Sequence, residues 1–281
     1  MNDAAPGTAA PPAAATNTPV IEDPGPVPTE TPSRIRAEII IVFALSLGQA
    51  AVWAIINLIE RYQREVAIGG QTAQVNPSRS DIEYLDLIRQ ILAIGFRLVP
   101  VLLALYLLST HGRSWARRLG LAGNGRRWGK DLALGAGLAA LIGIPGIGLY
   151  ALGRAIGQTV RVDTSGLPDQ WWAATILLMA AASWGILEEV LVVGYLMTRL
   201  QDLKWSVTAI IITSAVLRGA YHLYQGWPMA LGNVVMGLVF AWAYHRTGRL
   251  LPMIAAHSLM DVVAFVGPEV APESLLDWLN V

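Results

Sequence analysis

A chain of 281 residues that is 54% hydrophobic and only 14% charged carries too few charges to coat a soluble domain, so the bilayer is its solvent. Twenty basic residues balance twenty acidic ones, which leaves no polycationic surface for nucleic acid. Cysteine is absent, and with it any thiol nucleophile, disulfide or thiolate-bound metal.

In chain order, residues 1–34 come first and hold eight of the sixteen prolines among Ala, Thr and acidic residues. That composition buries no core and predicts an extended, disordered cytoplasmic tail. Seven apolar stretches follow, at 38–59, 84–110, 131–155, 171–198, 206–222, 229–244 and 250–267. Each is read as a helix crossing a hydrocarbon layer of about 30 Å, the fifth and sixth being short enough to be tilted or re-entrant. The first lacks a small-residue cleavage site and is read as a retained span. The expected fold is therefore all-α, a polytopic transmembrane helix bundle of about seven spans. Its divisions are the tail, N-terminal transmembrane helices over 35–111, a core over 112–267 and a C-terminal tail over 268–281. Gly135, Gly137, Gly143, Pro145 and Gly146 read as sites of close helix approach and a kink.

Between the second and third stretches, Arg113, Arg117, Arg118, Arg126, Arg127 and Lys130 stand without an acid, which marks that segment as cytoplasmic. The N-terminus and the loops 199–205 and 245–249 then lie inside, and 156–170 and the C-terminus outside. This is the expected topology of an integral protein of the plasma membrane. Trp171, Trp172, Trp205 and Trp227 fall at span ends, where amphipathic rings prefer to sit.

Ionisable residues inside such spans are functional candidates, because an unpaired charge there is costly. Glu188 and Glu189 lie in the fourth stretch and diverge by about 100° on a helical wheel. Arg218 and His222 in the fifth stretch, and His257 and Asp261 in the seventh, are each one helical turn apart. If these groups converge, a carboxylate and a histidine could deprotonate water while a second histidine, held by a carboxylate, stabilises an oxyanion. Glu188, His222 and His257 would equally serve as zinc ligands around an open position. The spacing leaves both readings open, and no cofactor is named by the sequence. Depth is a difficulty, since the topology sets Glu188 and His257 toward the cytoplasmic half and His222 near the outer end of its span. Asn233, in the sixth stretch, either lines the pocket or pairs helices.

Three motifs carry a family resemblance: EEVLVVGYL at 188–196, RGAYHLYQG at 218–226 and HSLMD at 257–261, with LGL at 119–121 ahead of the third stretch. Together they resemble the CAAX prenyl endopeptidase and bacteriocin-processing (CPBP) intramembrane proteases, over roughly residues 112–267. The resemblance implies an endopeptidase acting on a membrane-associated protein or peptide, of CAAX type or a leader. Glu188 and His222 would activate water, and His257 with Asp261 would stabilise the oxyanion. Where the family has two glutamates, three residues and then Arg, this chain has Val193. Arg218, standing where the family often has Phe, or Arg97 in the second stretch, is expected to supply the missing charge to Glu189. Val193 also admits a catalytically silent membrane scaffold or immunity protein. A proton-coupled transporter using the buried acids as a relay is a further alternative, against which the lack of internal repeats argues.

Overall fold

The computed structural model describes residues 30–109, 114–163, 170–272 and 274. In chain order its helices are α1 (Pro32–Ala44), α2 (Leu47–Gln63), α3 (Glu83–Arg97), α4 (Val99–Leu108), α5 (Trp115–Arg118), α6 (Gly125–Ala155), α7 (Ala173–Glu188), α8 (Leu196–Asp202), α9 (Val207–Tyr221), α10 (Trp227–Thr247) and α11 (Leu251–Val270). A π-helical segment, Glu189–Tyr195, joins α7 to α8. Two short strands, β1 (Thr72–Gln74) and β2 (Arg161–Asp163), pair in parallel with Thr72 opposite Arg161. Most of the expected 1–34 tail lies outside the described residues, and Pro32 to Arg34 already belong to α1, whose N-terminus is capped by the Thr31 hydroxyl. Of the 268–281 tail, Pro268 to Val270 continue α11 and the remainder lies largely outside the described residues.

All seven apolar stretches fold as helix, but they do not make seven full crossings. Among the described residues five helical segments are long and apolar enough to span, Glu83–Leu108, Gly125–Ala155, Ala173–Asp202, Trp227–Thr247 and Leu251–Pro268. The first stretch is split into α1 and α2, bent by 52°, and makes a sixth only if the pair counts as one broken span. At the bend the Ser46 hydroxyl donates to the Val42 carbonyl at 2.6 Å, a local bond that competes with the helical ladder. The fifth stretch is the 15-residue α9, only about 22 Å long. It stops because a 3₁₀ turn at Leu223–Gln225 and Gly226, at φ 109°, reverse the chain into α10. Positive φ of that kind is open to glycine and costly for other residues.

Ala173–Asp202 is the axis of the bundle: 72% of its most apolar window is buried inside the protein, against 17–44% for the other four spans. Helices α11, α4 and α9 pack around it, and α10 runs along α9. Ion pairs pin the ends. Arg199 is buried and donates to Glu38 and to the Leu107 carbonyl, each at 2.8 Å. Arg118 grips both oxygens of Asp202 at 2.7 and 2.9 Å, and Arg249 grips Asp131 and the Ala122 carbonyl. Each of these three arginines is thus paired with an acid from another element, and Arg199 also lies 3.4 Å from Asp202 of its own helix. Arg113 lies outside the described residues.

Close approach of α11 depends on glycines facing it. A Cβ on Gly135 of α6 would stand 2.8 Å from both the Pro252 carbonyl and the Ala255 methyl. One on Gly185 of α7 would stand 2.8 Å from the Ser258 amide nitrogen, beside His257. Gly137 and Gly146, expected to serve the same purpose, face open space. Gly185→Ala should therefore destabilise the protein by about 1–3 kcal/mol through overpacking. Adding Ser258→Ala should recover only part of the loss, since the main chain still clashes. Gly137→Ala, with nothing within 4 Å, should be neutral or slightly stabilising; thermal unfolding in detergent compares the three.

Candidate functional site

The glutamates sit where α7 passes into the π-helical segment. The segment is tied to α9 by the Ser214 hydroxyl, which donates to the Val192 carbonyl at 3.1 Å. Irregular turns of this kind are frequent at functional sites. Across from them, α9 brings Arg218, Tyr221 and His222, and α11 brings His257 and Asp261.

Arg218 is fully buried and meets both carboxylates. Its Nη2 donates to Glu189 Oε1 at 2.6 Å, and its Nη1 lies 3.3 Å from Glu188 Oε2. Its guanidinium also lies 5.7 Å from the centroid of the Phe240 ring on α10. Arg218 is thus the cation beside Glu189. Arg97 is not: its Nη1 donates to the Ser183 hydroxyl at 2.6 Å and its guanidinium covers the Trp184 ring at 4.0 Å. The two glutamates, expected to point apart, share one guanidinium, because the irregular turn and two rotatable side chains let them converge. Val193, at the position of the family arginine, is fully buried among apolar neighbours.

Tyr221, which sequence reasoning passed over, donates its hydroxyl to Glu188 Oε2 at 2.7 Å. Its position, three residues after Arg218 and next to His222, was the signal available, since residues three apart share a helix face. With Tyr221 and Arg218 both on Oε2, Glu188 Oε1 takes no hydrogen bond among the described residues. His222 makes none to Glu188 either. Its Nδ1 donates to the Arg218 carbonyl at 3.0 Å, which places the unprotonated nitrogen of the neutral ring at Nε2. Its ring packs on Tyr221, centroids 4.8 Å apart, and stacks near Tyr224.

Asp261 lies beside His257, as the spacing predicts, without hydrogen-bonding it. Nδ1 of His257 lies 2.7 Å from Glu189 Oε1, whereas Nε2 is 3.7 Å from Asp261 and 3.8 Å from Glu188. Only the first distance is a hydrogen bond. Arg218 Nη1 also lies 3.3 Å from Nδ1, but the shorter contact is to a carboxylate, which accepts and cannot donate, so Nδ1 carries the proton and Glu189 sets the ring. Asp261 faces the outer rim of the cluster. Asn233 bonds within its own helix, to the Met229 carbonyl at 3.0 Å, and takes no part.

Burial divides the cluster. Glu189 and Arg218 are completely enclosed, and Glu188 and His257 are 6% and 5% exposed. His222 and Asp261 are half-buried and form the side from which a ligand could enter. The set Glu188, His222 and His257 does not suit zinc. Among the described residues no three His, Asp or Glu side chains stand at metal-holding spacing, and the Arg218 guanidinium already lies against both carboxylates.

Residues 170–263 match the family model described as Type II CAAX prenyl endopeptidase Rce1-like. That stretch contains Glu188, Glu189, Arg218, Tyr221, His222, His257 and Asp261, and leaves Arg97 outside. No curated protein and no solved structure matches the chain.

Removing one partner of a buried ion pair costs about 3–5 kcal/mol, because the other charge is left uncompensated. Arg218→Ala should destabilise the protein by that amount, and by clearly less in a Glu189→Gln background. Unfolding of the four proteins in detergent measures the coupling. Equal losses in both backgrounds would mean that Glu189 is not the partner that counts.

Proposed function

We propose that this integral membrane protein, which carries the Rce1-like domain, is an intramembrane endopeptidase that hydrolyses a peptide bond with water activated by Glu188 and His222. The family match implies a CAAX-type peptidase and a protein substrate. One observation supports the mechanism above the rest: Tyr221 and Arg218 hold Glu188 by Oε2 alone. The carboxylate is fixed in direction while its other oxygen remains open to a reactant.

In this reading a water lies between Glu188 Oε1 and His222 Nε2. As its oxygen attacks the peptide carbonyl, one proton passes to Glu188, forming a tetrahedral oxyanion. His257, set by Glu189 through Nδ1, turns Nε2 toward the rim shared with Asp261, where a protonated Nε2 donates to that oxyanion. Glu188 then returns its proton to the leaving nitrogen as the C–N bond breaks, and the free amine and acid depart. Arg218 offsets the charge of Glu188 and Glu189 throughout.

The short α9 also removes the difficulty of depth. A chain that enters at Ser206 and rises about 22 Å reaches His222 while still inside a layer of about 30 Å. We take the N-terminus and the basic stretch through Lys130 to be cytoplasmic, the catalytic core to span 112–267, and the plasma membrane to be the location. Val193 also admits a silent scaffold, and the bond from Arg218 to Glu189 supports the active reading by supplying the charge that position 193 lacks.

Purified in detergent and offered a library of membrane-associated and prenylated peptides, the wild-type protein should yield a cleaved product. Glu188→Gln and His222→Ala should each lower its rate by about 10²–10⁴-fold while folding normally. Cleavage should persist in the presence of a metal chelator. Product formation by folded Glu188→Gln at the wild-type rate would end this proposal.

A further inference from the structure

The two short strands, β1 and β2, form a ribbon that is fixed at both ends. Before β1, the Gln71 side chain donates to the Arg61 and Val66 carbonyls at 2.9 and 2.8 Å, and the buried Arg154 donates to the Gly69 and Thr159 carbonyls at 2.7 and 3.0 Å. After it, Gln90 of α3 donates to the Pro77 carbonyl, and the Arg79 amide donates to Asp86. The ribbon lies across the rim of the candidate site. Tyr224, stacked near His222, packs against the cluster of Ile68, Ala73 and Val160. Val75 packs against the cluster that contains Phe265 of α11, one turn beyond Asp261. β1 therefore runs from the His222 side of the rim toward the Asp261 side.

One edge of the ribbon is covered and the other is bare. Val160 donates its amide to the Gln225 carbonyl and Val162 to the Tyr150 hydroxyl, each at 3.1 Å, which closes the far edge of β2. On β1 the Gln71 carbonyl accepts from Arg161 and the Val75 amide donates to Asp163, so alternate residues face β2 and the main-chain groups of Thr72 and Gln74 point the other way. Those groups take no hydrogen bond among the described residues. Thr72, Ala73 and Gln74 also carry neither a charge nor a proline, two devices that keep an edge strand from pairing. We propose that this edge of β1 binds the main chain of the peptide that is cleaved, which adds to the ribbon as a third strand. The assignment rests on the endopeptidase reading above. A helical segment drawn toward the site must unwind before water can reach its carbonyl, and the N–H and C=O groups so exposed need new partners. The outward groups of Thr72 and Gln74 supply them. Ala73 is buried and its two neighbours are exposed, so the ribbon lies flat on the helices, and every second side chain of an added strand faces down toward them. Because the main chain carries the affinity, recognition tolerates many side chains.

The test is a scan of single N-methyl groups through one probe, N-octanoyl-Ala-Val-Ala-Val-Ala amide, bound to the full-length protein in detergent. Native mass spectrometry reports the intact complex and any cleaved product together. Each N-methyl group removes one N–H, and an added strand bonds through alternate residues, with the octanoyl chain and the Ala/Val alternation fixing its register. Affinity should therefore fall about three- to tenfold at every second position, the range of one hydrogen bond, and stay near that of the parent in between. Gln74→Pro deletes an outward N–H of β1 but none of the bonds to β2, a position where an edge strand accepts proline. It should weaken the parent probe by the same factor with thermal unfolding unchanged, while Gln74→Ala, which keeps the N–H, should bind as wild type does. No alternation along the scan, wild-type affinity in Gln74→Pro, equal loss in Gln74→Ala and Gln74→Pro, or no binding of the probe by wild type overturns the proposal. Alternation in a protein that never cleaves a peptide refutes the peptidase reading alone. Cleavage without alternation refutes this inference alone.

Discussion

The contact between Arg218 and the two glutamates is the constraint around which the bundle is organised. Two adjacent carboxylates inside the most buried span would be intolerable as bare charges, and desolvating them costs several kcal/mol each before any attraction is counted. A single guanidinium from α9 bridges them, and Tyr221 and His257 add a second partner each to the same two oxygens, Glu188 Oε2 and Glu189 Oε1. Everything nearby serves to bring those donors within reach. The π-helical segment spreads the turn after Glu188, Ser214 ties that segment to α9 through the Val192 carbonyl, and Gly185 lets α11 approach closely enough for His257 to touch Glu189.

The fold was largely legible because the bilayer writes a simple code: apolar runs of sufficient length become helices. All seven runs did. What the code could not show was how each run ends. The bend at Ser46 depends on one hydroxyl bonding back to Val42, and the early stop of α9 depends on Gly226 adopting a positive φ. Neither appears as a change in hydropathy. The partner of Arg118 was hidden in a similar way, because the acid it meets is Asp202, far off in the chain.

The membership of the site was legible too, since ionisable residues in apolar runs are few and each signals itself. Its internal wiring was not. A regular helical wheel separates Glu188 from Glu189, and spacing pairs His257 with Asp261. The structure instead pairs His257 with Glu189 and draws both glutamates to Arg218. Side-chain reach and a local change of helical type decide such pairings, and a periodicity of 3.6 residues contains neither. Tyr221 escaped notice because its ring reads as ordinary core until its hydroxyl is located.

The position of the buried cation carries a consequence for how this sequence could have arisen. In the pattern this chain resembles, an arginine stands where Val193 is, whereas here the cation comes from the neighbouring helix α9. Two evolutionary routes connect the arrangements, and they are not equivalent. Losing the first arginine before gaining the second passes through an ancestor with two enclosed carboxylates and no guanidinium, which would scarcely fold. Gaining Arg218 first passes through an ancestor with two cations facing two anions, crowded but neutral. The second order avoids the uncompensated intermediate, so positions 193 and 218 are linked through the single positive charge that one of them must supply.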